Sequence, residues 1–264
     1  MAFDVNNFVV DHVLRGVMTS SHDGTVLWSV NQITDPTLTI STESSTAVDA
    51  LGSTIATFYR GKNAEFSATN SLFDLGLYAA QNGTEKQVAA QNAPIVATAF
   101  ETLTVPSDGF AVQLAHTPRE TPAEIYLLKG DGTLSDVLTY SAAAGAGKFT
   151  YDSATATITL PSTATAGSEY FIQYEYDATS AVAVTGNAVD FPVAGKFVME
   201  VLGTDVCDQT TLIHAYIIFP NAKLSPDVEV SFTTDGNHPF TIVANQAYCD
   251  SQKTLFQIII PEEE

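Results

Sequence analysis

The sequence predicts an all-β, mainly antiparallel protein with one flanking helix and a small additional β-sandwich module. Three observations carry this. Short apolar runs alternate with polar residues at period two along most of the 264 residues, the habit of strands with one covered face. Asp23-Gly24, Asp108-Gly109, Asp131-Gly132, Asp235-Gly236 and Asn82-Gly83 punctuate those runs, and such pairs tolerate the positive φ of tight hairpin turns. Only the stretch after Asn70 repeats its apolar residues at three and four.

Taken in order, residues 26–33 and 37–41 read as strands parted by a turn at Asp35-Pro36. Residues 53–60 and 62–69 read as a hairpin turning at Gly61, with Ala64, Phe66 and Ala68 on one face. Asn70-Ser71 is the expected cap of a helix carrying Leu72, Phe73, Leu75, Leu77, Tyr78 and Ala79, ended by Asn82-Gly83. Residues 97–178 read as an inserted sandwich. There Ala156, Ile158 and Leu160 alternate with threonines, and Tyr170, Ile172, Tyr174 and Tyr176 alternate with Glu169, Phe171, Gln173 and Glu175. Further strands are expected at 179–186, 196–203, 211–219, 226–234, 239–244 and 254–260. The run 211–219 is apolar on both sides and reads as a central strand covered on both faces. Residues 1–96 and 179–264 then form one discontinuous β domain around the 97–178 module.

Thirty Asp and Glu against ten Lys and Arg leave a net charge of −20, which repels polyanions. Lys and Arg are scattered, with Arg60 and Lys62 the densest group, so a basic nucleic-acid stripe is excluded. Charged residues are only 15% of the chain, and part of its exterior is therefore expected to be covered by other copies. No secretory signal or membrane-length apolar run is visible, so a soluble chain made in a cytoplasm is expected. Cys207 and Cys249 are expected to be reduced and buried, not paired.

Chemistry is sparse. Gly145-Ala146-Gly147-Lys148 lacks the first glycine and the final Ser or Thr of a phosphate-binding loop, leaving a flexible hairpin tip. Ser21-His22-Asp23 sets nucleophile, base and acid types side by side, but a relay needs groups converging from different elements. Asp131 and Asp136 lack the ligand alternation of a calcium loop. His214 lies in an apolar strand and reads as a satisfied core or interface histidine. No catalytic residue, cofactor or metal ligand is therefore assigned.

Several segments resemble tail tube proteins of long-tailed bacteriophages. They are Val10-Asp11-His12-Val13-Leu14-Arg15-Gly16, Gly24 to Trp28, Gln32 to Leu38, Asp49 to Ile55 and Phe58 to Ala64 with the helix after Asn70. Ile217 to Lys223 and Asp235 to Phe240 are similar too, so the resemblance spans roughly residues 8–90 and 180–260. It implies a β-sandwich or half-barrel with one flanking helix, assembling as hexameric rings that stack into a tube. The bore would be acidic, and viral DNA would pass through it without specific binding. The partners implied are further copies of the chain, a tape-measure protein and other tail proteins, with no membrane. The place implied is the virion tail, assembled in the host cytoplasm.

On this reading the hairpin 53–69 belongs to the lumen sheet. Glu43, Asp49, Arg60, Lys62 and Glu65 are the candidate lumen or ring-contact residues. Phe8, Val10, Val13 and Leu14 belong to a candidate arm, Phe8 to Met18, that docks on a partner copy. The module 97–178 is expected on the exterior. The alternative is a capsid decoration or host-surface-binding β module that uses Tyr126, Tyr140, Tyr151, Tyr170 and Tyr174 of residues 97–178. A glycan-cleaving hydrolase would need two converging carboxylates, and nothing picks out a pair.

Overall fold

A computed structural model describes residues 7–143, 145–233, 237–248 and 251–262. It is mostly strand with one helix, and the chain divides into two compact units: Met1–Lys86 with Val184–Glu264, and Gln87–Ala183.

In the first unit the strands are β1 (Phe8–Ser20), β2 (Val26–Val30), β3 (Ile33–Val48) and β4 (Thr54–Asn70), followed by helix α1 (Leu75–Gln81). After the second unit come β14 (Gly195–Asp205), β15 (Asp208–Leu224), β16 (His238–Ala244) and β17 (Gln257–Ile259). The sheet runs β2-β1-β14-β15-β16-β4-β3, with β17 also on β15. Its two ends nearly meet. Val30 and Ile33 stand on the outermost strands, yet only Asn31 and Gln32 join them, a reach of about 11 Å. In a flat sheet β2 and β16 would lie about 19 Å apart, whereas the Trp28 and Phe240 rings approach to 5.7 Å between centroids. The sheet is therefore curled into a half-barrel.

Aromatic residues fill the curl. Phe197 lies 5.6 Å from Trp28, 5.7 Å from Phe66 and 6.1 Å from Phe219, in tilted and offset arrangements that suit ring quadrupoles. Helix α1 contributes Leu77 to this core. Its cap is Asp74, whose Oδ1 accepts from the Leu77 N–H at 2.7 Å, so Leu72 and Phe73 precede the helix and stay exposed. The expected cap at Asn70-Ser71 is corrected by one turn. Gly83, at φ 69°, ends the helix as expected, its N–H bonding to the Ala80 carbonyl while the Thr84 N–H bonds to that of Ala79.

Two expected turns are instead bulges inside long strands. Asp35 (φ 51°) lies within β3 at a register shift between Thr34 and Thr37. Gly61 (φ 59°) lies within β4, where Thr42 faces Lys62 but Glu43 faces Arg60. A single residue left over in a ladder demands left-handed backbone, which is what Gly and Asp tolerate in turns as well. Composition at these sites does not separate the two. Of the Asp-Gly pairs, Asp23-Gly24 closes the β1–β2 hairpin, while Asp235-Gly236 lies outside the described residues. Residues 226–233 form no strand, whereas β15 is central as expected, although its second face is not fully covered, since Leu212 is exposed. Cys207 is free but exposed, not buried, and Cys249 lies outside the described residues.

The second unit holds β5 (Gln87–Val88), β6 (Ile95–Thr104), β7 (Ala111–Gln113), β8 (Glu124–Leu128), β9 (Leu134–Tyr140), β10 (Lys148–Asp152), β11 (Thr157–Thr159), β12 (Glu169–Ala178) and β13 (Val182–Ala183). The order is β6-β12-β8-β9-β10-β11-β7. Strand β10 runs parallel to β9 for two residues and then antiparallel to β11, folding one half of the ribbon over the other. Ile125, Phe149, Ile158 and Ile172 are fully buried between them. The tyrosine and threonine alternations read from sequence have Tyr170, Tyr174, Ile158 and Leu160 on the buried side. Asp131-Gly132 closes β8–β9, but Asp108-Gly109 joins β6 to β7, which do not pair. The two-residue β5–β13 pair gathers entry and exit, so the unit starts before residue 97 and ends after 178.

Candidate functional site

The candidate site is the β3–β4 hairpin, built by the longest antiparallel run in the chain. Its turn is Asp49 to Gly52. The Asp49 carboxylate accepts from the N–H groups of Leu51 at 2.9 Å and Ser53 at 2.8 Å, while Gly52, at φ 83°, donates to the Asp49 carbonyl. Asp49 is thus a turn builder, a role sequence reasoning missed because no Asp-Gly pair marks it.

Only the root of this hairpin is held by the rest of the sheet. Strand β16 pairs with β4 from Glu65 to Asn70 and stops there. Beyond Glu65, β4 has β3 alone as a ladder partner, and β3 is the end strand along its whole length. Among the described residues, two open edges therefore flank the projecting half. That half is also apolar in the wrong place for an isolated chain. Leu51 is 92% exposed, Tyr59 74%, Ile55 69% and Phe58 54%. Open edges and exposed apolar side chains together are the features of an interaction surface.

The bulge at Gly61 decides which charges share a face. Along β3, Leu38, Ile40, Thr42 and Ser44 lie on the core side, and Thr39, Ser41, Glu43 and Ser45 on the other. The partners follow: Tyr59 opposite Ser44 is on the core side, while Arg60, opposite Glu43, joins Glu65, opposite Thr39, on the far side. Without the bulge Arg60 would stand with Lys62. Glu43, Arg60 and Glu65 thus share one face, and Lys62 lies on the other. Residues 33–70 carry four carboxylates against two cations, a small part of the −20.

The segment Phe8 to Met18 is not a free arm. It is β1, paired with β14 from Phe8 to Ser20. Val13 is buried and Phe8 packs against the same core, while Leu14 is half-buried and Val10 exposed. On the sheet face away from the core this strand supplies Arg15, whose Nε donates to Glu200 at 2.5 Å. Glu200, 7% exposed, also meets His214 Nδ1 at 2.9 Å and accepts from the Tyr216 hydroxyl at 3.3 Å. The Arg15 hydrogen bond holds the Glu200 carboxyl below its usual range. Both oxygens are occupied, so this is a structural carboxylate and not a poised base. His214 is satisfied, as its apolar strand suggested. Glu200 itself has no sequence signal.

The remaining motifs resolve into turns. Asp23 accepts from the N–H and hydroxyl of Thr25, and Asp131 from those of Thr133. Gly145 bridges Lys148 at the loop tip. Of the tyrosines weighed for binding, Tyr170 and Tyr174 are core residues. Among the described residues no group of three or more His, Cys, Asp or Glu side chains is placed to hold a metal ion. No helix among them is long and apolar enough to cross a membrane. No curated protein matches the chain. The family model described as the YomU/Tube protein family matches residues 8–255, nearly the whole length, and the chain belongs to that family, which makes it a phage tube-like protein.

Proposed function

We propose that the chain is the repeating subunit of a phage tail tube, a structural protein without enzymatic activity. Six copies close a ring and rings stack, with the β3–β4 hairpins of neighbours pairing edge to edge around a shared bore. The observation that carries this reading is the projecting hairpin, open on both edges and apolar at its tip. Pairing between copies satisfies the exposed ladder groups, and the core side resting on the next subunit buries Tyr59. The family membership agrees with it.

The face carrying Glu43, Arg60 and Glu65 turns to the bore in this arrangement, and the core side of the hairpin rests on the next subunit. Each copy then offers the bore one more carboxylate than cation, and like charge keeps DNA from adhering during ejection. The second unit stands on the tube exterior. A tape-measure protein occupies the bore before DNA does, and assembly takes place in the host cytoplasm before the tail joins the virion.

Negative-stain microscopy of the purified chain tests the reading. Rings or tubes are the expected result. Monodisperse monomers at every concentration, with no annuli in virions, would sink it.

A further inference from the structure

The second unit carries a cleft that the assembly reading does not use. It encloses about 710 Å³ and is lined chiefly by polar atoms, among them His116, Thr117, Arg119, Tyr176, Asp177 and Ser180. That volume suits a small ligand, since binding clefts run from about 300 to 1,000 Å³.

Its wall is an aromatic platform. The His116 and Tyr176 rings stack at 3.8 Å between centroids and 2° from parallel, with His116 on the exposed side. The loop bearing His116 is clamped from behind. Glu101 accepts from the Ala115 N–H at 3.2 Å, and the Tyr174 hydroxyl accepts from the His116 N–H at 3.1 Å while donating to Glu101. Farther along, the Arg119 N–H reaches the Glu175 carbonyl at 2.8 Å, and Arg119 Nε pairs with Asp177 at 3.1 Å. Burial, with the bond to Glu101, pushes the Tyr174 hydroxyl far above its ordinary range, so it stays a donor. The platform is held in place before any ligand arrives, which lowers the cost of binding.

We propose that this cleft binds a neutral pyranose oligosaccharide. A pyranose offers an apolar C–H face to an aromatic ring and a rim of hydroxyls to polar neighbours. Here the ring face is that of His116, and the rim meets the Arg119–Asp177 pair with the Thr117 and Ser180 hydroxyls. Arg119 and Asp177 offset each other, so the cleft holds no surplus positive charge for a phosphate or sulfate. Its walls lack the deep apolar pocket that a peptide anchor requires.

Maltotriose, cellotriose and chitotriose, each titrated calorimetrically against the full chain, test this. Saturable binding of at least one, with Kd of about 1 mM or tighter, is expected. His116→Ala and Asp177→Asn should each weaken it about tenfold, since they remove one stacking face and one charged acceptor. Both positions are exposed, so the thermal midpoint should hold, and either variant alone keeps the test open if the other fails to fold. Absence of saturable binding for all three sugars overturns the proposal. So does binding that both variants leave unchanged, or binding of a sulfated oligosaccharide in preference to the neutral ones.

Discussion

The root and the tip of the β3–β4 hairpin are the same two strands under opposite conditions. At the root, Ala64, Phe66 and Ala68 are buried and β16 completes the ladder; toward the tip, Phe58 and Tyr59 are exposed and both edges are open. Strand pairing alone does not make a stable ribbon in water, because two strands bury too little. The root is stable because five aromatic rings converge on it. The tip borrows its order from the root and leaves its own apolar surface exposed. The difference separates residues that stabilise the monomer from residues that build the assembly proposed above.

Phe66→Ala tests the root, and it should cost the largest amount. It empties a fully buried site among Phe197, Phe219 and Phe240, so about 3–5 kcal/mol is expected in chemical denaturation. A loss near 1 kcal/mol would mean that the curled sheet is held elsewhere.

His238, paired with Asn70 at the end of the root, adds a pH dependence. It is fully buried, and the Asp74 N–H donates to its Nδ1 at 3.3 Å, so Nε2 carries the proton toward Gln81 Oε1 at 2.7 Å. Burial holds the imidazole below the ordinary histidine value of about 6.5, and the nearby Asp74 charge opposes this more weakly. The unfolded chain therefore takes up the proton first as pH falls. Stability is full above pH 6.5 and declines below it, by at most about 1.4 kcal/mol per pH unit, until the folded form protonates as well. Unfolding midpoints measured from pH 7.5 downward should show this slope, and His238→Gln should flatten it.

Gly61 sits at the boundary between the two regions. Gly61→Ala places a side chain at φ 59° and should cost about 1–2 kcal/mol, read by the same denaturation. If the bulge instead relaxes, Arg60 moves to the opposite face and ring formation suffers without that loss.

Tyr59→Ala sharpens the comparison most, with the smallest expected effect on the monomer. At 74% exposure its removal should change monomer stability by less than about 0.5 kcal/mol while sharply reducing rings in negative stain. Equal loss of stability at Tyr59 and Phe66 would erase the distinction between tip and root.

How much of this was legible varied with the range of the interaction. Period-two alternation is local, so Ala64–Phe66–Ala68, Tyr170–Ile172–Tyr174 and the central run 211–219 were visible in sequence as faces. The end of α1 at Asn82-Gly83 was visible because a left-handed residue closes a helix in one way. Its start was not, since Asn70, Ser71 and Asp74 are all competent caps and packing chose among them. Glu200 was invisible: a carboxylate in an apolar strand has no pattern of its own, and Arg15 lies 185 positions away.

The amino-acid order by itself determined the strand-rich class, the single helix, the paucity of reactive groups and the acidic balance, because each follows from composition or from neighbours along the chain. Tertiary structure alone decided that Asp35 and Gly61 are bulges within continuous strands, that β2 and β3 meet across a curled sheet, and that Arg60 stands beside Glu43. The physical reason is that a left-handed residue is equally at ease in a turn or a bulge. Only the strand lying opposite, counting one residue against two, distinguishes them.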